Sequence, residues 1–142
     1  MKVMQQRVSQ TIVSEDSSDI TITLEIFDSG RGLCCYLFGG DSPHVGGVVL
    51  ATPRPSLRDS EEMSADISSL TVSGHLDNEV GVRIAKTLSK ALGVPVSVTS
   101  GIHVDNASPL DINVIESVSE TLAITCLVER GVCLPTGANT ER

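Results

Sequence analysis

The chain is poor in aromatic residues and in basic charge. It contains one tyrosine, two phenylalanines and no tryptophan, and 18 Asp and Glu residues outnumber 10 Lys and Arg residues, which gives a net charge of −8. Proteins that bind nucleic acid need a basic surface for phosphates, and single-strand binders also need aromatic side chains on which bases stack. Since both features are lacking, we expect no nucleic-acid partner.

Long apolar runs and paired cysteine motifs are also missing. No segment approaches the roughly 18–20 apolar residues that span a bilayer, and residues 1–16 lack the pattern of a signal peptide. Cys34 and Cys35 are adjacent, Cys126 and Cys133 lie far away, and no C-x-x-C pair is present. Because neighbouring strand residues point to opposite faces, we expect four reduced cysteines, with Cys34 or Cys35 in the core. These absences predict no membrane association and a cytoplasmic location.

The length of 142 residues is that of one compact domain. Residues 1–130 carry the apolar patterns and are predicted to form this single domain. Residues 131–142 are polar with Pro and Gly, and we expect a flexible C-terminal tail there.

Strand patterns dominate the first half of the chain. Alternating apolar residues over Ile20–Ile26 predict a half-buried strand, and a turn at Asp28–Gly32 leads to a returning strand over Leu33–Phe38. A weaker pattern marks Val8–Val13 as an earlier strand. The nearly continuous apolar run Val45–Ala51 predicts a central strand that is covered on both faces.

The stretch Thr52–Ser69 has no clear period, which predicts a long acidic loop, followed by a short strand over Leu70–Ser73. Two helices then flank a strand over Val94–Thr99. The first helix starts at an N-cap Asp77 and stops at Gly93, and the second starts at Ser108-Pro109 and runs to about Leu127. The order of elements predicts an α+β fold, with an antiparallel β-meander sheet and two main helices packed on one face.

The three histidines all follow a glycine at a predicted strand end: His44, His75 and His103. Glycine allows backbone N–H groups to approach a ligand, and free N–H groups at a helix start favour a phosphate. With a net charge of −8, a phosphate would need such local donors. Two alternatives stay open: Asp77 and Ser108 simply cap their helices, or the three histidines and Asp105 hold a divalent metal. The nucleotide-binding motifs GxGxxG and GxxxxGK[ST] and the nucleophile motif GxSxG are absent.

Three segments around these histidines resemble the prenylated-flavin chaperone family, the small D companion proteins of gallate-type, UbiD-like decarboxylases. They are GGDSPHVGGVVLA at 39–51, GHLDNEV at 74–80 and GIHVDNA at 101–107, and the similarity covers roughly residues 8–127. When the family's cofactor-binding residues are carried over to the matching positions of this sequence, the resemblance implies the following set: His44, Gly46, Gly47, Gly74, His75, Asp77, Gly101, His103, Asp105 and Asn106.

The resemblance also implies a fold similar to proteasome assembly chaperones and a homodimer. The implied function is non-catalytic: the chain would bind reduced prenylated FMN as cargo and assist its insertion into a UbiD-like decarboxylase large subunit. It implies no catalytic residue and no metal site. Two other functions remain as alternatives, namely a structural subunit of a hydroxyarylic acid decarboxylase that does not touch the flavin, and a small metal-dependent enzyme.

Overall fold

A computed structural model describes residues 4–72 and 78–134. Six strands and two helices follow one another along the chain, in agreement with the predicted α+β class. The elements are β1 (Met4–Val13), β2 (Asp19–Asp28), β3 (Leu33–Gly40), β4 (Gly47–Pro55), β5 (Met63–Thr71), α1 (Asn78–Leu92), β6 (Val96–His103) and α2 (Pro109–Glu129). Neither helix is both long enough and apolar enough to span a bilayer.

The six strands form one sheet in the order β1-β2-β3-β6-β4-β5. The predicted meander is corrected at one point, because β6 lies between β3 and β4 and runs parallel to β3, whereas the other neighbouring pairs are antiparallel. After α1 the chain returns to the middle of the sheet and not to its edge. Gly40 at the end of β3 therefore faces His103 at the end of β6.

Both helices pack on one face of this sheet, as predicted. Helix α1 contacts β4, β5 and β6, helix α2 contacts β1 and β2, and the two helices contact each other. Alternate strand residues enter the core between the layers, among them Ile22, Leu24, Leu37, Val49 and Val98, all fully buried. In the part of the chain that the structure describes, no element covers the opposite face, which we call the open face.

The open face corrects the interpretation of the apolar run Val45–Ala51. Strand β4 lies inside the sheet, but only Val49 and Ala51 point to the helices and are buried, whereas Val48 and Leu50 point to the open face and are exposed. The prediction of two covered faces was wrong because a continuous apolar run is equally compatible with a strand that is buried on one face only.

The prediction of a long loop over Thr52–Ser69 was also wrong. Strand β4 continues to Pro55 and pairs with β5 through a hairpin whose turn spans residues 56–62, so that the predicted short strand Leu70–Ser73 is the end of a longer one. Pro53 and Pro55 suggested a loop, because proline cannot donate a ladder hydrogen bond. Strand β6 pairs with β4 only as far as Ala51, so beyond that point β4 has a free side where proline is tolerated.

The predicted helix boundaries are confirmed where the structure describes them. Ser108 caps α2 by accepting a hydrogen bond from the Asp111 N–H, Asp111 accepts one from the Ser108 N–H, and Pro109 occupies the first turn. Gly93 follows α1 with a φ of +66°, the left-handed conformation that a helix stop requires. Helix α2 runs two residues beyond the predicted end, to Glu129.

The four cysteines are free thiols, and Cys35 is the member of the adjacent pair that enters the core. Burial raises the pKa of the Cys35 thiol to about 12 and that of Cys126 to about 11. Both stay protonated at neutral pH and act as small apolar core residues.

An ion pair between β2 and the end of α2 ties the sheet to the last helix. Arg130 Nη1 donates to Asp28 Oδ2 at 2.6 Å, and both side chains are at least four-fifths buried. The Arg130 hydrogen bond, with a smaller contribution from the Gly30 N–H, holds the pKa of Asp28 below its usual value of 3.8. The Asp28 carboxylate therefore binds a proton more weakly in the folded chain than in the unfolded chain.

We expect Asp28→Asn to lower the free energy of unfolding at pH 7 by about 1–3 kcal/mol, since the part-buried guanidinium loses its carboxylate partner and keeps only the neutral acceptor Gln6. Because the folded pKa is depressed, this stabilisation is full above about pH 3.8 and is lost as the pH falls through the folded pKa. Urea unfolding at several pH values should show the wild type and the variant converging at acid pH. Asp66→Asn, which removes an exposed partner of Arg54, is the control and should change stability by less than about 1 kcal/mol.

Candidate functional site

Two of the three histidine segments meet at one edge of the sheet. Because β3 and β6 are parallel neighbours, both end at this edge, and the loop 41–46 must cross the end of β6 to reach β4. Its backbone follows β6 closely: the Asp41 N–H donates to the His103 carbonyl at 2.7 Å, and the Gly46 N–H donates to the Ser100 carbonyl at 2.8 Å. The segments at 39–51 and 101–107 therefore form one structural unit.

Two glycines make this crossing possible. A Cβ at Gly101 would lie 1.5 Å from the His44 carbonyl oxygen, so no other residue fits under the loop. Gly40 has a φ of +77°, and a Cβ there would lie 2.1 Å from the His103 carbonyl oxygen. At these two positions glycine serves the close approach of two backbone segments.

The other predicted glycines of the first segment have similar structural surroundings. Gly46 uses its N–H in the bond to Ser100, and a Cβ at Gly47 would lie 3.1 Å from the Asn78 side-chain oxygen at the start of α1. Both glycines are buried. The N–H groups of Asp41, His44 and Gly46 all donate to backbone carbonyls of β6, so they are engaged within the sheet edge.

His44 and His103 lie side by side, with ring centroids 6.4 Å apart and an edge-on arrangement. His44 Nδ1 lies 2.9 Å from the Ser42 carbonyl oxygen and therefore carries the proton, since a carbonyl only accepts. His103 Nε2 lies 3.0 Å from Asp105 Oδ1 and donates to that carboxylate. Each ring is thus oriented by a neighbour two residues away.

The loop after β6 is held by a residue that the sequence did not single out as a site residue. Asp41 accepts a hydrogen bond from the Asp105 N–H at 2.8 Å, which joins the two loops. Asn106 adopts a φ of +56°, a conformation that asparagine tolerates better than most residues, and turns the chain into α2.

Tyr36 holds the crossing loop from the open face, where its hydroxyl donates to the His44 carbonyl at 2.9 Å. The alternation of β3 residues indicates which face of the sheet Tyr36 occupies, but no sequence pattern indicates that its hydroxyl bonds to the His44 carbonyl.

A cavity of about 300 Å³ opens next to His103, between the end of β6 and the first turns of α1 and α2. Its wall is mainly aliphatic, and the polar groups in it are Ser100, His103 and the carboxylates of Glu79 and Glu116. The lining residues are Leu37, Glu79, Val80, Ser100, Ile102, His103, Val104, Ala107, Ile112, Ile115 and Glu116. The described lining contains neither Lys nor Arg, so the cavity is suited to an apolar group.

The predicted site residues fall into three groups. His44, His103, Asp105 and Asn106 lie together at the rim of the sheet edge, and His103 also lines the cavity. Gly46, Gly47 and Gly101 support the crossing loop. Gly74, His75 and Asp77 lie outside the described residues. Within 4–72 and 78–134, no three His, Cys, Asp or Glu side chains come together as a metal site.

Sequence reasoning did not single out the first residues of α1 as part of the site. Asn78 Oδ1 is buried and accepts no hydrogen bond from the residues that the structure describes, and Glu79 and Val80 line the cavity. Such an acceptor is unusual, since most buried polar atoms are paired. Its position follows from the packing of α1 on β4, which no local sequence pattern records.

The fold and this site define a small α+β domain with a ligand-sized cavity at one sheet edge. The sequence model of the prenylated flavin chaperone LpdD-like domain matches residues 16–129. The chain therefore belongs to the LpdD-like prenylated flavin chaperone family. A solved chain from a chaperone complex for yeast 20S proteasome assembly is similar over 89% of this chain and 95% of that chain, at 13% identity and a TM-score of 0.49. No curated protein matches the sequence.

Proposed function

We propose that this protein binds reduced prenylated FMN as cargo and delivers it to a UbiD-like decarboxylase, without catalysing a reaction itself. Family membership supports a prenylated flavin as the ligand class. The observation that carries the proposal is the cavity of about 300 Å³ beside His103, at the junction of two segments on which the resemblance rests. The volume is at the lower end of ligand pockets, so it fits part of such a cofactor.

The aliphatic wall of the cavity suits the apolar ring system of the cargo. Aliphatic side chains such as Ile102 and Ile115 form most of the wall, and burial of an apolar ring edge there gains about 25 cal/mol per Å². Glu79 and Glu116 would repel a phosphate inside the cavity. We therefore propose that the ring system enters and that the phosphate stays outside.

His44 and His103 would line the mouth of this site. Asp105 orients the His103 ring by accepting a hydrogen bond from its Nε2–H, and Asp41 accepts a hydrogen bond from the Asp105 backbone N–H. These contacts fix one polar edge beside an apolar cavity before a ligand arrives, which lowers the entropic cost of binding. The role of these residues is to bind and orient the cargo.

A carrier must also release its cargo. Among the described residues that line the cavity there is no Phe, Tyr or Trp, so we expect no strong stacking of the kind that holds many flavins. We expect a dissociation constant that is not far below the micromolar range. The partner would be the decarboxylase large subunit, and the chaperone would act as a homodimer.

Anaerobic gel filtration with reduced prenylated FMN, followed by addition of the apo-decarboxylase, tests the proposal. The wild-type chain should co-elute with the cofactor and raise decarboxylase activity. His103→Ala should weaken co-elution by at least about tenfold, or about 1.4 kcal/mol. His103→Gln keeps a polar side chain and should weaken it less.

The two variants share one fold control, far-UV circular dichroism and thermal unfolding, because His103 is half exposed and should contribute little to stability. A chain that co-purifies with the decarboxylase but never retains the cofactor would contradict the proposal and favour a structural subunit.

A further inference from the structure

We propose that the open face of the sheet is the surface through which two copies of this chain associate. The inference gives the proposed homodimer an interface, and it does not depend on cofactor binding. Four exposed apolar side chains form what we call the apolar strip: Val48, Leu50, Leu70 and Val72, with exposed fractions between 39% and 79%.

The apolar strip is continuous. Val48 lies directly opposite Leu70 in the register of β4 and β5, and Leu50 is the next residue of β4 on the same face. The Val72 N–H donates to the Gly46 carbonyl at 2.8 Å, which extends the β4–β5 pairing by one pair and places Val72 on the same face as Leu70. Contiguous exposed apolar side chains of this kind mark an interaction surface, whereas scattered ones do not.

The charges of the open face favour a second copy of this chain as the partner. The whole chain carries a net charge of −8, so two copies repel each other when they approach through most of their surface. On the open face, apart from Asp19 at a corner, the charged strand residues form two internal ion pairs, Arg7 with Glu25 and Arg54 with Asp66. This face is therefore close to neutral, and a second copy can meet it without like-charge repulsion.

The size of the open face also suits a dimer. Six strands spaced by about 4.8 Å, each about 26–33 Å long, give a face of roughly 700 Å² in projection. A standard stable interface buries about 800 Å² on each partner. Because protruding side chains make the accessible surface larger than its projection, the open face has about the area that such an interface needs.

The interface would reach the candidate site. Val72 of the apolar strip is hydrogen-bonded to Gly46 of the loop 41–46, and Tyr36 donates to the His44 carbonyl from the open face. A second copy seated on the apolar strip would cover the loop 41–46 and fix its position. Dimerisation would therefore fix the position of His44 beside His103, at the mouth of the proposed cofactor site.

Sedimentation velocity of the cofactor-free chain, from micromolar to millimolar concentration, tests the interface. The wild type should sediment as a dimer of the 14.9 kDa chain. Leu70→Asp places one charge from each copy in the apolar strip, where burial without a partner is costly, and should raise the dimer dissociation constant by at least about 100-fold, or about 2.7 kcal/mol. Leu57→Asp is the matched control, because Leu57 is 91% exposed in the turn of the β4–β5 hairpin, outside the apolar strip, and it should leave the dimer unchanged.

A milder variant, Leu50→Thr with Leu70→Thr, keeps strand propensity and should weaken the dimer by at least about tenfold if Leu70→Asp fails to fold. A monomeric wild type at all concentrations would overturn the inference, and so would a dimer that Leu70→Asp or the double variant leaves intact. Because no cofactor is present, failure of cofactor binding in the earlier experiment would not affect this result.

Discussion

Gly101→Ala should abolish detectable binding of reduced prenylated FMN and destabilise the chain. The new Cβ would lie 1.5 Å from the His44 carbonyl oxygen and 2.3 Å from its carbon, so the loop 41–46 has to move away from β6. Both atoms belong to backbone and cannot yield by a rotamer change. Overpacking of this kind costs typically 1–3 kcal/mol, and occasionally more. Urea unfolding measures that cost, and anaerobic titration measures the loss of binding.

Gly93→Ala is the matched control for this variant. Gly93 has a φ of +66°, but no atom lies within 4 Å of a Cβ built there. It should cost about 1–2 kcal/mol through backbone conformation alone and should leave cofactor binding unchanged. If Gly101→Ala bound the cofactor as tightly as Gly93→Ala does, the crossing loop would not be part of the site.

Ala107→Phe should reduce cofactor affinity by at least about tenfold, or about 1.4 kcal/mol, while the chain remains folded. Ala107 lines the cavity and lies in the half-buried loop before α2, so a phenyl ring there can enter the space proposed for the apolar part of the cargo. Isothermal titration under anaerobic conditions measures this loss.

Ala91→Phe makes the same change on the exposed surface of α1, away from this cavity, and should leave the affinity within about twofold of wild type. If the two variants bound equally well, the cofactor would lie elsewhere and the cavity would have no role in binding.

The sequence predicted those parts of the fold that depend on local chemistry. The alternation over Ile20–Ile26, the Ser108-Pro109 helix start and the Gly93 stop each reflect contacts within a few residues. The insertion of β6 between β3 and β4 depends on contacts between distant segments, and no local pattern records it. The β4–β5 hairpin was missed for another reason: Pro53 and Pro55 are acceptable only because β6 ends its pairing with β4 at Ala51.

The candidate site was predictable to a similar extent. Glycines next to His44 and His103 marked two segments, and the parallel pairing of β3 and β6 brings them together. However, the glycines were expected to expose N–H groups to a ligand. Gly101 instead admits the His44 backbone, and the Gly46 N–H is bonded to Ser100. The carboxylates Glu79 and Glu116 become part of a cavity wall only when both helices pack against the end of β6.

The scarcity of basic charge now has a specific consequence. No Lys or Arg is among the described residues that line the cavity, so we expect the proposed site to distinguish flavins by their apolar ring system more than by their phosphate. It follows that unmodified reduced FMN, which has the phosphate but lacks the prenyl-derived ring, should bind more weakly than the prenylated cofactor. The two ligands provide an internal comparison on one protein.

Anaerobic titration of the wild-type chain with reduced prenylated FMN and, separately, with reduced FMN is the most direct test of the central claim. We predict saturable binding of the prenylated cofactor at one per chain, with a dissociation constant near the micromolar range, and at least about tenfold weaker binding of reduced FMN. Equal affinity for the two ligands, or no binding of the prenylated cofactor at millimolar concentration, would contradict the claim that this cavity receives the prenylated ring.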